Sequence, residues 1–252
     1  MAGKALITEA GTPLGRALAL HLAGRGYDVA LHCTTAPEEA ASTAAEARAM
    51  GVKAAVTLAD FLDEAVLTGL VSQAVAALGG PLTLLVINAT GYDRDTPQNA
   101  TGDGRSGPVG SPVHAPIMLT RTFAAQAPRC GRDAAGEPMA QAMVVNMIDQ
   151  RMLKPTPELM SGTVAMMNLR ALTRAAAQAL APAIRVNAIA LGSGVQGTRQ
   201  RAASRPERGA DMADVTATLS YFLDASVVTG QILMVDDGQQ PACHPADVAG
   251  VV

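Results

Sequence analysis

The sequence predicts a single α/β domain built on a doubly wound parallel sheet of about seven strands flanked by helices. Three observations predict it. Apolar runs of strand length alternate with helical runs along the 252 residues. The strand runs are continuously apolar, as parallel strands covered on both faces are. A short turn containing glycine joins the first strand to the first helix.

The elements follow in order. Residues 5–8 form the first strand, and the chain enters it with no charged and apolar leader before it. In the turn Thr8-Glu9-Ala10-Gly11-Thr12-Pro13-Leu14-Gly15, Thr12 can cap the next helix and Pro13 suits its first position. A helix start there aims backbone N–H groups and a positive dipole end at a place that suits a phosphate. Strand 29–32 precedes helix 38–50, strand 54–57 precedes helix 62–78, and strand 82–87 precedes helix 113–127. Strand 142–148 precedes helix 163–180, strand 184–189 precedes helix 214–223, and residues 232–235 close the sheet. Right-handed crossovers place the helices on both faces, a Rossmann-like arrangement. The predicted domain is 1–252, with a core of about 4–238 and a tail, 239–252, without periodicity.

Two polar, glycine-rich segments, 92–111 and 192–211, follow strands and therefore lie at the carboxyl edge of the sheet, where such sheets bind ligands. They read either as lids, with Arg199, Arg201, Arg205 and Arg208 meeting an anionic ligand, or as surface loops with solvated charge.

Composition excludes several classes. Asp and Glu number 22 against 19 Lys and Arg, which is not the balance of a general nucleic-acid binder. With 49% hydrophobic and 16% charged residues the chain buries a sizeable core. No apolar stretch reaches the roughly 18 residues of a spanning helix, so no membrane partner is expected. Cys33, Cys130 and Cys243 are odd in number and widely spaced, which suggests neither a disulfide framework nor a metal site and fits a reducing cytoplasm.

The opening strand, turn and helix, with the segments GRALALHLAGRGYDVALH and VVNMID and the later motifs, resemble the short-chain dehydrogenase/reductase family, over about residues 4–238. The nearest likeness is to its pteridine reductase branch. The family turn is TGxxxGxG. Here Glu9 stands at the first glycine and Pro13 at the second, while Gly15 keeps the third and Gly11 supplies flexibility one position off the pattern. The resemblance implies NADP(H), contacted by Gly11, Gly15, Asp60, Asn88 and Ala89. Asp60 matches the aspartate that faces adenine, and Asn88-Ala89 the end of the family's NNAG. A carboxylate about 4 Å from a phosphate costs roughly 1 to 4 kcal/mol, so Glu9 weakens the implied pyrophosphate site unless it turns outward. The branch uses basic residues at the second-glycine position and after the second strand, where this chain has Pro13, Thr34 and Thr35; His32 reads as packed at the strand end.

The family's proton transfer uses Tyr-x-x-x-Lys on the helix after the fifth strand. Anchored on NMID and on LRALTRAAA, the register puts Gly162 at the tyrosine and Met166 at the lysine. Slippage does not rescue the pair: four residues beyond Tyr27, Tyr92 and Tyr221 stand Leu31, Thr96 and Ala225. A helix-kink asparagine of the family falls on Pro112. Asp149 aligns with the branch's aspartate and is the candidate acid. Tyr92, at the position of an aromatic that stacks on pterin, and Gly192 would line a substrate pocket. Alternatively Asp149 caps the strand end and Tyr92 packs on methionines, with Met152, Met160, Met166 and Met167 filling the emptied pocket.

The expected function is therefore a non-redox member of the family, a pseudoenzyme that binds a small molecule or serves as a partner subunit. One alternative is a divergent NADP-dependent reductase in which water and Asp149 supply protons. Another is a cofactor-independent lyase, isomerase or cyclase using Asp149 and His114. The resemblance also implies a homo-oligomer formed through helices 113–127 and 163–180, or a hetero-oligomer with an active paralogue.

Overall fold

The computed structural model describes residues 3–88, 96, 98, 110–149, 159–192 and 210–236, and only the backbone of residues 110–112. Seven strands make one parallel sheet: β1 (Lys4–Ile7), β2 (Asp28–Cys33), β3 (Ala54–Leu58), β4 (Leu84–Asn88), β7 (Ala142–Asp149), β8 (Ile184–Leu191) and β9 (Ile232–Val235). Their order is β3-β2-β1-β4-β7-β8-β9. The order reverses between β1 and β4, and the carboxyl ends of these two strands open the crevice of the fold. The predicted fold class and its seven strands stand.

Six helices cover the sheet: α1 (Pro13–Gly24), α2 (Pro37–Ala49), α3 (Glu64–Leu78), α4 (Gly110–Gln126), α5 (Met160–Leu180) and α6 (Met212–Asp224). One core layer packs Leu14, Leu18 and Leu22 of α1 and Val215, Leu219 and Phe222 of α6 on the sheet; the opposite layer packs Leu67 and Leu70 of α3 and Leu119 and Phe123 of α4. Strand residues alternate between the layers: Ala5 and Ile7 face the first, Leu6 the second. Continuous apolar strands are what a sheet covered on both faces requires.

Local chemistry sets the boundaries. Thr12 caps α1 by accepting the Gly15 N–H at 3.1 Å, with Pro13 at the first position, as expected. α3 starts later than predicted because the Asp63 carboxylate caps it, accepting the Ala65 and Val66 N–H groups. α6 starts earlier, on a reciprocal capping box between Asp211 and Asp214. α5 starts one turn earlier than predicted, so Gly162 and Met166 lie in its first two turns. β4 begins at Leu84 because the Leu82 N–H donates to Gln126 Oε1, at 2.8 Å, and leaves the ladder. A small antiparallel pair, β5 (Gly131–Arg132) and β6 (Pro138–Met139), was not expected. Two-residue strands have no periodicity to read; Asp133 and Gly136 (φ 83) make the turn between them.

Among the described residues, no helix is long and apolar enough to cross a membrane.

Candidate functional site

The crevice is built where β1 ends. Thr8, fully buried, ties β1 to β4: its hydroxyl accepts the Asn88 N–H at 2.9 Å and donates to the Asn88 carbonyl at 3.1 Å. Glu9 follows with φ 50, a left-handed backbone that a side chain seldom adopts. Several bonds hold it there. The Glu9 N–H donates to His32 Nδ1 at 3.2 Å. The Glu9 carbonyl accepts from the Thr12 N–H (3.1 Å), the Thr12 hydroxyl (2.8 Å) and Asn88 Nδ2 (3.5 Å). The side chain is 14% exposed, and its Oε1 accepts the Thr34 hydroxyl at 2.7 Å. The carboxylate thus reaches the end of β2 instead of turning away from the crevice.

The glycines divide their work. A Cβ on Gly15 would lie 2.7 Å from Ala10 Cα and closer still to the Glu9 carbonyl oxygen, so Gly15 lets α1 pack on the turn. A Cβ on Gly11 would lie 2.7 Å from both the Cβ and the carbonyl oxygen of Ala36, in the connection after β2. Gly11 therefore serves close approach of two loops. The helix start has few donors left for a phosphate. Pro13 has no N–H, and the N–H groups of Thr12 and Gly15 already have acceptors in Glu9 and Thr12.

His32 is fully buried and packs as expected. Its Nε2 lies 2.9 Å from the Ala59 carbonyl, which can only accept, so Nε2 carries the proton and Nδ1 accepts the Glu9 N–H. The ring stacks on Phe61 with centroids 4.5 Å apart and an interplanar angle of 6°. Burial holds its pKa below the ordinary 6.5, against the Ala59 carbonyl and the Glu9 carboxylate, which favour the proton. The unfolded chain takes up a proton that the native state resists. The stability contributed by neutral His32 is whole above about pH 6.5 and declines as pH falls below it toward the folded-state pKa. His21, lowered by burial and by Arg25, acts in the same direction. Urea midpoints are expected to fall between about pH 7 and pH 5, less steeply in His32→Gln; an identical pH slope in that variant would remove His32 from this account.

The other candidates sit around this turn and at the far end of the crevice. Asp60 is exposed, and its Oδ1 accepts the Leu62 N–H at 2.9 Å, shaping the entry to α3. Asn88 donates through Nδ2 to Thr12 Oγ1 at 3.2 Å, while its Oδ1 is buried with no hydrogen-bond partner among the described residues. Gly192 is buried and donates its N–H to the Val235 carbonyl at 2.9 Å. Ala89 and Tyr92 lie outside the described residues, as do Met152, Cys243 and the four arginines of segment 192–211.

At the end of β7, Asp149 is 6% exposed and pairs in register with Leu191. Its backbone N–H donates to the sulfur of Met166 at 3.4 Å. Gly162 and Met166 are both buried on α5, and Met166, 1% exposed, belongs to a small apolar cluster with Ile148, Leu169, Ala188 and Ala190. The expected filling by methionines is corrected in part: Met166 is in the core, Met160 is half-buried, and Met167 is 36% exposed. Ala165 and Met166 lie on the buried face of α5, and a further step of about 100° carries Met167 past its edge. His114 is exposed on α4, with Nε2 3.8 Å from Glu64 Oε1.

Two contributors escaped the sequence reading. Phe61 stacks on the His32 ring and so braces the turn behind Glu9. Asn168 of α5 donates through Nδ2 to the Val113 carbonyl of α4 at 3.5 Å, tying the two helices together. Only their spacing from Asp60 and from Met166 could have drawn attention to them.

An open doubly wound sheet with a capped turn at its switch point defines the class of the molecule. The profile of the short chain dehydrogenase family matches residues 3–208, and the chain belongs to that family. It is 28% identical to a short-chain dehydrogenase/reductase of Hericium erinaceus, over 94% of this chain and 97% of that protein. To another, of Armillaria gallica, it is 42% identical over 86 residues, 34% of this chain and only 33% of the relative. Among solved structures, FolM alternative dihydrofolate reductase 1 from Brucella suis, in complex with NADP, superposes with a TM-score of 0.84 at 32% identity, covering 98% of each chain. The residues of this chain's first turn do not fit the phosphates of such a nucleotide well: Glu9 brings a negative charge, Pro13 lacks an N–H, and the Gly15 N–H is already bonded.

Proposed function

We propose that this protein is a non-redox member of the short-chain dehydrogenase family, which uses the crevice at the β1–β4 switch point to bind a small molecule or serves as a partner subunit. The observation that carries the reading is the pair of positions on α5: Gly162 and Met166 stand where the family places its tyrosine and lysine. Neither residue exchanges a proton, and Met166 is buried among apolar side chains. Glu9, Pro13, Thr34 and Thr35 alter the nucleotide end of the same machine.

Incubation with NADPH and dihydrofolate, a quinonoid dihydropterin or simple ketones is expected to give no NADPH oxidation. Turnover that disappears in Asp149→Ala would overturn the reading in favour of a divergent NADP-dependent reductase. That second reading is supported by the likeness to the NADP-bound Brucella suis protein and by the presence of Asp60, Asn88 and Asp149. The cytoplasm is the compartment that the cysteine usage favours. The same proposal assigns assembly to α4 and α5, which pack on one another and leave Ile117, Val164 and Met167 exposed.

A further inference from the structure

We propose that the crevice at the β1–β4 switch point binds a small organic cation rich in N–H donors, of the guanidinium or amidinium class, seated on the Glu9 carboxylate. This names the ligand class for the ligand-binding reading given above and rests on it.

Crevices of this kind take anions where backbone N–H groups and a helix start line them. Here the lining is reversed, and acceptors outnumber donors. Glu9 accepts the Thr34 hydroxyl through Oε1 at 2.7 Å, and its Oε2 takes no bond from any described residue. Asn88, at the end of β4, gives its Nδ2 to the Thr12 hydroxyl and the Glu9 carbonyl, so its amide belongs to the same turn. Its Oδ1 is buried and likewise has no donor. Two acceptors, one of them charged, are thus left unpaired at the ends of neighbouring strands. Burial without a donor is unfavourable for both, and a ligand that brings N–H groups relieves it.

The charge has no counter-ion either. Residues 8–15, 32–47 and 58–63, which frame the site, contain neither Lys nor Arg. Arg16, the nearest in sequence, is paired with Glu46 at 2.5 Å. His32 lies 3.9 Å from Glu9 Oε1, but its Nδ1 accepts the Glu9 N–H and burial favours the neutral ring. The start of α2, whose dipole would favour an anion, carries Glu38 and Glu39 in its first turn. The thiol of Cys33, at the tip of β2, registers the resulting field: burial pushes its pKa up, and Glu9 and Glu39 push it further.

The class of cation follows from the groups at hand. A transition metal takes about three or four protein ligands, and among the described residues no group of three His, Cys, Asp or Glu is placed to hold one. A guanidinium needs a single carboxylate, which it meets with two parallel N–H bonds, and it keeps further donors for an amide oxygen. Glu9 is also presented in a set position. Its backbone is bonded to His32 and Thr12, and its carboxylate is held by Thr34.

The test is calorimetric titration of the full chain, at fixed ionic strength, with butylguanidinium and with butylurea, its uncharged counterpart, for the native protein, Glu9→Gln and Glu9→Gly. Gln keeps the size without the charge. Gly suits the left-handed backbone, and thermal melts verify that both variants fold. The native protein is expected to bind butylguanidinium about 10- to 100-fold more tightly than butylurea, the worth of one charge-assisted bond. Both variants are expected to lose at least tenfold in affinity for the cation, and Glu9→Gln to leave butylurea binding unchanged. Equal binding of the two probes by the native protein overturns the proposal. So does cation binding that survives in Glu9→Gln, or no binding of the cation at millimolar concentration. Turnover is scored separately. NADPH oxidation with a carbonyl substrate would overturn the non-redox reading while leaving the role of Glu9 intact. A crevice that ignores butylguanidinium and gives no turnover would do the reverse.

Discussion

Gly15→Ala is expected to destabilise the protein by about 3 kcal/mol or more, the upper part of the range for forcing volume into a packed interior. The added methyl group would meet backbone at every near contact: the Glu9 carbonyl oxygen and carbon and Ala10 Cα. No rotamer relieves such a clash, so either α1 withdraws from the sheet or the turn opens. Both responses break bonds. The Glu9 carbonyl loses its place between Thr12 and Asn88 Nδ2, and α1 loses the packing of Leu14, Leu18 and Leu22 against β1 and β2. Gly24→Ala is the control. It lies at the end of the same helix, where an added Cβ would find nothing within 4 Å, and is expected to be neutral or stabilising by up to about 1 kcal/mol. Urea unfolding of both variants makes the comparison. A Gly15→Ala midpoint as high as that of Gly24→Ala would mean that the turn retreats freely and that Glu9 is not pinned.

What could be read in the sequence follows from how local each determinant is. The seven strands and the cap on α1 are legible because continuous apolar runs and a Thr-Pro pair are local signals. The start of β4 was misplaced because Leu82 belongs to an apolar run, and only the side chain of Gln126, far along the chain, takes its N–H out of the sheet. The destination of the Glu9 carboxylate was not legible for the same reason. It is decided by the ring of His32 and the hydroxyl of Thr34, more than twenty residues away, meeting a backbone that has turned to φ 50. The absence of a Tyr-x-x-x-Lys pair, by contrast, is exhaustively checkable with three tyrosines and with Lys4, Lys53 and Lys154 as the only lysines. Sequence could not say what surrounds Met166. The structure does: an apolar core, with its sulfur on the Asp149 N–H.

Those surroundings make Met166→Lys the sharpest probe of the non-redox reading. A lysine whose head is held at this 1% exposed position either stays charged without a counter-ion or gives up its proton. Buried lysines lower their pKa by about 3 to 5 units. At pH 7 that corresponds to a loss of about 3 to 5 kcal/mol, added to the loss of the sulfur contact with Asp149. Met166→Leu, which keeps volume and polarity, is expected to lose less than about 1.5 kcal/mol. The pH dependence separates charge from shape. The unfolded chain keeps the lysine proton up to about pH 10.4, whereas the folded variant releases it earlier. Its stability relative to the native protein should therefore rise as pH increases from 7 toward 10. Steric damage alone would be the same at both values. A Met166→Lys variant as stable as the native protein at pH 7 would show that the position still opens to water or to a polar partner. The crevice would then retain the setting of a working lysine, and the non-redox reading would lose the observation that carries it. A large deficit that shrinks with rising pH would mean that the surroundings have closed over the position. On the non-redox reading, a charged lysine at 166 would then need Ile148, Leu169, Ala188 and Ala190 to change with it.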